Sequence, residues 1–307
     1  MSERLDWNRD GLDWPHRERS QFVEAGGLRW HVQHWPGPAS APASARDVPL
    51  VMLIHGTGSS THSWRAVAPL LAEQCAVLAM DLPGHAFTGM PAGGPTSVQL
   101  SLAGMAEAMA ALLTQLQMRP DWVVGHSAGA AVAVRMSLDG RLQPRGIIGL
   151  NAALLPLGGL AGQFFSPVAR MMANMAFIPR YFSARAADPA VLDRLLNSTG
   201  STLDADGKAL YGRLVRNEGH AAGALGMMAQ WDLDGLFGRL QFLQTPMDLI
   251  VGMQDHTVPP TQAERVLARL PTSVPHSLSR LEGLGHLAHE ERPEQVSDWI
   301  LARIAQG

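Results

Sequence analysis

Short apolar runs alternate with helical stretches along much of the chain, and this pattern constrains the fold more than any other feature. The runs lie at residues 50–54, 76–80, 122–125, 146–150 and 249–252, and helices are predicted near 64–73, 99–117, 128–139 and 261–270. Uninterrupted apolar strands are typical of a parallel sheet that is covered by helices on both faces. The sequence therefore predicts an α/β fold with a mostly parallel central sheet flanked by helices.

Two regions depart from this alternation. Residues 22–24 and 28–35 flank Ala25-Gly26-Gly27 and alternate apolar with polar side chains, which predicts an antiparallel hairpin. Between residues 151 and 240 the apolar strands stop, and helices are predicted near 188–197 and 205–216. We expect an α/β core formed by residues 1–150 and 241–307, with residues 151–240 inserted as a helical cap.

The sharpest local motif is Gly125-His126-Ser127-Ala128-Gly129, which fits G-x-S-x-G between a predicted strand and a predicted helix. In such a turn the glycines let the backbone bend without a Cβ clash, and the serine hydroxyl projects from the carboxyl edge of the sheet. The alternative is a chance match in a chain rich in Gly and Ala. The flanking strand and helix favour Ser127 as a nucleophile.

A serine nucleophile needs a base and a group that orients the base. Asp255 in LIVGMQDHTVPP and His286 in LEGLGHLAHEE each follow an apolar run, in the chain order serine, acid, histidine. Alternatives remain open, because Asp255 could cap a turn and His289 or His256 could serve as the base. We predict Ser127, Asp255 and His286 as the catalytic residues.

The glycine-rich loop His55–Ser60 follows the first long apolar run and could supply an oxyanion-binding N–H. We predict Thr57 and Ala128 as the two backbone donors. A phosphate-binding loop is the alternative, but the segment HGTGSS lacks the lysine of a P-loop. The segment His286-Leu-Ala-His289-Glu290 matches no zinc motif, so neither a metal nor a cofactor is predicted.

Composition excludes several other classes of function. Lys and Arg number 24 against 27 Asp and Glu, a net charge of −3 without a basic run, which removes the driving force for nucleic-acid binding. The single cysteine, Cys75, excludes an intramolecular disulfide. The first 20 residues alternate charges with Trp and lack the apolar core of a signal peptide, so we expect a cytoplasmic protein.

The predicted cap is rich in Met and aromatic residues, which form adaptable surfaces for large apolar ligands. Ordinary packing between cap and core is the alternative for most of these side chains, and contact with a membrane surface is another. The predicted substrate-binding residues are Phe165, Met171, Met172, Met175 and Trp231.

The motifs HGTGSS, DLPGH, GHSAG, VGMQDHTVPP and GLGHLAHEE together resemble the α/β-hydrolase superfamily across residues 22–305. More narrowly, HGTGSSTHSW, LNAALLPLGGLAG and MMAQWDLDGL resemble the magnesium chelatase accessory α/β-hydrolases of bacteriochlorophyll-making phototrophs. The resemblance matches Ser127, Asp255 and His286 to the triad positions and Thr57 and Ala128 to the oxyanion positions. It also implies a role near magnesium insertion into protoporphyrin or the methyl-ester chemistry that follows.

From these features we predict a serine hydrolase that acts on a bulky apolar ester, with a tetrapyrrole methyl ester as one substrate and magnesium chelatase as one partner. The rival hypothesis is a non-catalytic porphyrin carrier or chelatase accessory protein on the same fold. A cofactor-free haloperoxidase or a C–C bond hydrolase could use the same three residues. An epoxide hydrolase or dehalogenase is disfavoured, because those enzymes have Asp in place of Ser127.

Overall fold

One sheet of eight strands forms the centre of the computed structural model, which describes residues 4–38, 48–156, 177–186 and 188–306. The strands are β1 (Ser20–Ala25), β2 (Leu28–Trp35), β3 (Leu50–Ile54), β4 (Ala76–Met80), β5 (Trp122–His126), β6 (Gly146–Leu150), β7 (Met247–Gly252) and β8 (His276–Leu281). They lie in the order β1-β2-β4-β3-β5-β6-β7-β8. All neighbours from β4 to β8 are parallel, whereas β2 pairs antiparallel with both β1 and β4. The predicted parallel sheet and N-terminal hairpin are confirmed.

Alternate residues of the central strands belong to two separate hydrophobic clusters, one on each side of the sheet. In β3, Met52 and Ile54 belong to one cluster, and Val51 and Leu53 belong to the other. Successive side chains of a strand point to opposite faces, so a strand covered on both faces needs an uninterrupted apolar run. This explains why the apolar runs located the strands so closely.

Helices cover both faces of the sheet. The helices are α1 (Trp7–Asp10), α2 (Val67–Ala72), α3 (Leu102–Leu116), α4 (Ala128–Leu138), α5 (Phe177–Arg185), α6 (Pro189–Asn197), α7 (Ala205–Val215), α8 (Glu218–Ala229), α9 (Leu233–Arg239), α10 (Thr261–Leu267), α11 (Ala288–Glu291) and α12 (Pro293–Gln306). Side chains of α3 and α4 belong to the cluster of Met52, and side chains of α2 and α12 to that of Val51. Among the described residues, no helix combines the length and apolar character needed to cross a lipid bilayer.

The chain between β6 and β7 contributes α5 to α9. The predicted helices near 188–197 and 205–216 are present as α6 and α7, whereas α8 and α9 were not predicted. Helix α8 has the sequence EGHAAGALGMMA, and its glycines each lower helix propensity by about 1 kcal/mol. Gly223 is required by tertiary contact, since a Cβ there would lie 2.1 Å from the carbonyl oxygen of Gly84. The division of the chain into a core and a cap stays a prediction.

Candidate active site

Ser127 lies on the sharp turn that joins the end of β5 to the start of α4. Its φ is 51° and its ψ is −118°, a backbone conformation that costs a residue other than glycine about 1–3 kcal/mol. Backbone hydrogen bonds hold this turn: the Ser127 N–H donates to Leu150 O at 2.9 Å, and Ser127 O accepts from the Ala153 N–H at 3.1 Å. Ser127 is half-buried while both of its neighbours are buried, so it is the residue of the turn that a ligand can reach.

The two glycines of the G-x-S-x-G motif are needed because backbones pass very close to them. A Cβ on Gly125 would lie 2.5 Å from Ala130 Cα, and a Cβ on Gly129 would lie 2.2 Å from the carbonyl oxygen of Ile54. A side chain at either position would therefore clash with neighbouring backbone, as expected from the sequence. The left-handed conformation itself is adopted by Ser127 and not by either glycine.

Asp255 and His286 form a buried hydrogen-bonded pair. They follow β7 and β8, which are neighbours in the sheet. His286 Nδ1 donates to Asp255 Oδ2 at 2.8 Å, and the two side chains are 8% and 0% exposed. The other carboxylate oxygen, Oδ1, accepts the backbone N–H of Thr257 at 2.7 Å and of Val258 at 2.8 Å. With Nδ1 donating, the neutral imidazole presents Nε2 as a proton acceptor.

Asn151 is a fourth hydrogen-bond partner of Asp255, and sequence reasoning missed this role. Its Nδ2 donates to Asp255 Oδ2 at 2.7 Å, so the oxygen that faces His286 accepts two hydrogen bonds. Asn151 has a left-handed backbone with φ 46°, and its buried Oδ1 has no partner among the described residues. Its position directly after the apolar run 146–150 was the available signal, because β6 and β7 are adjacent.

The loop of His286 is tied to the residue before Ser127. His126 Nε2 donates to the carbonyl oxygen of His286 at 2.9 Å, and the centroids of the two rings are 4.8 Å apart. Within the described part of the chain, the Ser127 hydroxyl and the His286 imidazole form no hydrogen bond. Catalytic hydrogen bonds of this kind are often long in unliganded enzymes and shorten when substrate binds.

The loop after β3 packs against Ser127. A Cβ on Gly56 would lie 3.0 Å from Ser127 Cβ, a closer contact than side chains normally make. The backbone N–H groups of Thr57 and Ala128 have no acceptor among the described residues. Ala128 is the first residue of α4, where backbone N–H groups lack intrahelical partners. The assignment of these two N–H groups as oxyanion donors stays a prediction.

Two histidines hold this loop in place. His55 Nδ1 donates to the carbonyl oxygen of Gly56 at 2.7 Å, and its Nε2 accepts the N–H of Leu82 at 2.9 Å. His220 of α8 donates from Nε2 to the carbonyl oxygen of Gly58 at 3.1 Å. The loop that carries Thr57 is therefore anchored both to the end of β4 and to α8.

Residues 51–299 match the family model described as the alpha/beta hydrolase family. The chain belongs to this α/β-hydrolase family. The resemblance predicted from the sequence is thereby confirmed, and the central sheet is mostly parallel, as predicted.

Relatives of this α/β-hydrolase include a protein named magnesium-chelatase 30 kDa subunit from Rhodobacter capsulatus. It is 36% identical over 94% of this chain and 95% of its own length. An uncharacterized hydrolase of Bacillus subtilis (strain 168), YugF, is 27% identical over 89% of this chain and 93% of its own. The crystal structure of an alpha/beta hydrolase fold protein from Burkholderia ambifaria superposes with a TM-score of 0.73 at 21% identity, covering 98% of this chain and all of that chain. That structure supports the fold alone.

Of the predicted substrate-binding residues of the α/β-hydrolase, the structure describes Trp231. Trp231 is 4% exposed and packs in the hydrophobic cluster of Met52, the packing role that was the alternative to ligand contact. Its contact with a substrate stays a prediction. The other predicted substrate-binding residues lie outside the described residues; they are Phe165, Met171, Met172 and Met175.

Neither competing histidine is hydrogen-bonded to Asp255 through its side chain within the described part of the chain. His289 Nε2 is 2.7 Å from Ser63 Oγ, and its ring is fully buried. His256 is exposed, and its backbone N–H donates to the carbonyl oxygen of Thr199 at 3.3 Å. Of the three histidines considered from the sequence, His286 is the one whose side chain is bonded to Asp255.

A second serine, histidine and aspartate are linked near the antiparallel edge of the sheet. His31 Nδ1 lies 2.8 Å from Asp81 Oδ2, and His31 Nε2 lies 3.0 Å from Ser20 Oγ. Ser20 has an ordinary extended backbone, and its hydroxyl also accepts from Gln33 Nε2 at 3.2 Å. Because this hydroxyl is fully hydrogen-bonded beside a completely buried histidine, we interpret the set as structural. It provides a matched control for experiments on Ser127.

Burial lowers the pKa of a group of histidines around the site. The pKa of His220 falls to about 4 and that of His289 to about 3, mainly because the surrounding protein disfavours the charged ring. The same cause lowers the pKa of further fully buried rings, which are His55, His62, His85 and His126. These histidines are neutral in the folded protein at neutral pH.

The free energy of unfolding is therefore expected to fall as the pH falls below 6.5. Between that value and about 4, the unfolded chain binds a proton at His220 and the folded protein does not, which costs about 1.4 kcal/mol per pH unit. The other buried histidines add to this slope. Urea unfolding at pH 7.5, 6.5 and 5.5 would measure it. The pKa of the Asp81 carboxyl is lowered from 3.8 to about 2, so its effect on stability begins below about pH 5 and outside these three measurements. A urea midpoint that stays constant over them would contradict the prediction.

Proposed function

We propose that this α/β-hydrolase is a serine esterase in which Ser127 is the nucleophile, His286 the general base and Asp255 the acid that orients the base. One observation carries the proposal: a half-buried serine on a strained turn lies next to the loop of an imidazole whose Nδ1 is bonded to a buried carboxylate. The hydrogen bond of His126 to the His286 carbonyl oxygen ties that turn to that loop.

The reaction proceeds in two halves. His286 Nε2 accepts the hydroxyl proton while Ser127 Oγ attacks the ester carbonyl carbon, and the N–H groups of Thr57 and Ala128 bind the oxyanion. His286 then protonates the leaving alcohol, and an acyl-serine remains. Water, deprotonated by the same imidazole, attacks the acyl-serine; as the carboxylic acid is released, His286 returns the proton to Ser127 Oγ. Asp255 stays ionised throughout and stabilises the imidazolium.

For the substrate we propose a bulky apolar ester, with a tetrapyrrole methyl ester of bacteriochlorophyll biosynthesis as the specific candidate. Support comes from the 36% identical relative named magnesium-chelatase 30 kDa subunit. The Met-rich and aromatic character of residues 164–182 is the second support. Association with magnesium chelatase, and membrane contact through residues 151–240, stay predictions of the same kind.

The name of that relative also favours a second candidate function, a non-catalytic accessory protein that binds porphyrin or the chelatase. In such a protein the Asp255–His286 pair would be a structural remnant, as the pair of Asp81 with His31 is structural at the other end of the sheet. The two candidates differ in whether the Ser127 hydroxyl is activated.

Covalent labelling by a fluorophosphonate distinguishes the two candidates. The probe phosphonylates an activated serine with loss of fluoride, so intact-mass spectrometry should show one added group on the wild-type enzyme. Ser127→Ala should not be labelled, and Ser20→Ala should be labelled as fast as wild type. A wild-type protein that stays unlabelled while binding protoporphyrin monomethyl ester tightly would overturn the esterase and support the accessory protein.

The substrate class needs a separate assay. The esterase should convert a porphyrin methyl ester into methanol and the free porphyrin acid. Chromatography of the porphyrin acid measures this reaction. If short acyl esters are cleaved freely while porphyrin esters are neither bound nor hydrolysed, the tetrapyrrole assignment is wrong and the esterase itself stands.

Asn151→Gly is expected to slow both labelling and ester hydrolysis by roughly 10- to 100-fold, the usual range for losing a hydrogen bond to a buried charge. Glycine accepts the left-handed φ of 46° without strain, so the variant removes the amide donor to Asp255 and little else. Measuring the labelling and hydrolysis rates together with the melting temperature of the variant tests this expectation, because the melting temperature shows whether the variant is folded. A wild-type rate in the folded variant would show that the bond to Asp255 has no catalytic importance.

A further inference from the structure

The turn formed by Thr199, Gly200 and Ser201 lies between α6 and α7, more than 50 residues from the loops that carry Asp255 and His286. Within this turn, the carbonyl oxygen of Thr199 accepts two backbone N–H groups. One comes from His256 at 3.3 Å and the other from His286 at 3.1 Å. A single atom of the 199–201 turn therefore joins the residue after Asp255 to His286 itself.

Further hydrogen bonds join the 199–201 turn to the loop of His286. Ser201 is 3% exposed, and its Oγ accepts the N–H of Leu287 at 2.8 Å. The carboxylate of Glu291 accepts the N–H of Thr202 at 3.0 Å and the N–H of Gly285 at 2.8 Å. Leu287 is thus bonded directly to the turn, and Gly285 shares the Glu291 carboxylate with Thr202, the residue after the turn.

Glycines allow the backbones of the three segments to touch. Gly200 has a φ of 79°, and a Cβ there would lie 1.8 Å from the carbonyl oxygen of Gln254. A Cβ on Gly285 would lie 2.3 Å from the carbonyl carbon of Gly200, and one on Gly252 would lie 2.3 Å from Gly285 O. No side chain fits at these positions unless the segments move apart.

We propose that the 199–201 turn is a positioning element of the catalytic site, which fixes the loop of Asp255 and the loop of His286 relative to each other. The proposal rests on the proposed esterase and deepens it. Asp255 and His286 follow different strands, so strand pairing alone does not determine the approach of their side chains. The Gln254 N–H donates to the carbonyl oxygen of Leu284 at 2.8 Å and joins the two loops at their bases. The shared carbonyl oxygen of Thr199 adds a constraint at His256 and His286 themselves, and placement to within about 1 Å is worth roughly 100-fold in rate.

Gly200→Ala tests the proposal, because its methyl group would push the turn away from Gln254. We expect fluorophosphonate labelling to slow by about 100-fold. We also expect the low-field proton resonance of His286 Nδ1–H, which reports its hydrogen bond to Asp255, to be lost or shifted. Gly140→Ala is the matched control: Gly140 has a φ of 68° with no atom within 4 Å of its Cβ position, so the variant bears similar backbone strain away from the site.

Ser201→Ala is the milder second variant and decides the question if Gly200→Ala does not fold. It removes one acceptor, and labelling should slow by roughly tenfold with a shifted Nδ1–H resonance. A folded Gly200→Ala or Ser201→Ala protein with the wild-type rate and resonance would overturn the proposal. If the wild type itself is not labelled, the esterase fails, and the resonance alone still tests whether the turn positions His286.

Discussion

Replacing Ser127 with alanine is expected to lower the rate of ester hydrolysis by roughly 10⁴- to 10⁶-fold. The variant keeps the oxyanion donors Thr57 and Ala128 but has no atom that can form the acyl-enzyme, so only binding and oxyanion stabilisation remain. Alanine at φ 51° bears a strain similar to that of the serine it replaces, and we expect little change in stability.

Steady-state hydrolysis of a chromogenic acyl ester, followed over hours, measures this loss. Ser20→Ala serves as the control, because it removes a hydroxyl that is also within hydrogen-bond distance of a histidine, 3.0 Å from His31 Nε2. That variant should retain the wild-type rate. A Ser127→Ala protein that still hydrolyses the ester within tenfold of wild type would place the nucleophile elsewhere.

Asp255→Asn is expected to lower the rate by about 10⁴-fold, because it imposes the wrong tautomer on His286. The backbone N–H groups of Thr257 and Val258 both donate to Oδ1, so the oxygen of the new amide must stay on that side. Its NH₂ group then faces Asn151 Nδ2 and His286 Nδ1. The imidazole has to place its proton on Nε2, where it can no longer accept a proton from Ser127.

Two measurements test the Asp255→Asn variant. The ester assay gives the loss of rate, and the proton spectrum should lack the His286 Nδ1–H resonance. Asn151→Gly provides the comparison, since it removes the other hydrogen bond to the same oxygen and should cost far less. Equal losses in the two variants would contradict a role for Asp255 in fixing the tautomer.

The strands and the candidate nucleophile could be predicted because their signals are local. In β3 to β6 each apolar run reports burial on both faces, and Ser127 lies in a motif whose neighbours in the chain are also its neighbours in space. Asp255 and His286 could also be placed at one edge of the sheet, because each follows a predicted strand and parallel strands end at the same edge.

Contacts between distant segments could not be predicted in this way. Helix α8 contains glycines that normally disfavour a helix, and close contacts with distant segments require two of them, since Gly223 lies against Gly84 and Gly226 against Pro95. The amide of Asn151 donates a hydrogen bond to Asp255, an acid 104 residues later in the chain. The 199–201 turn carries no motif, because its effect depends on backbone atoms that any residue possesses.

The shared carbonyl oxygen of Thr199 limits how the helices between β6 and β7 can be exchanged among related hydrolases. A chimera that grafts those helices from a relative onto this sheet would remove the hydrogen bonds that Thr199 accepts from His256 and His286. Grafts that keep residues 199–202 from this chain, so that Thr202 still donates to Glu291 of the core, should therefore retain turnover where replacement of all the helices loses it.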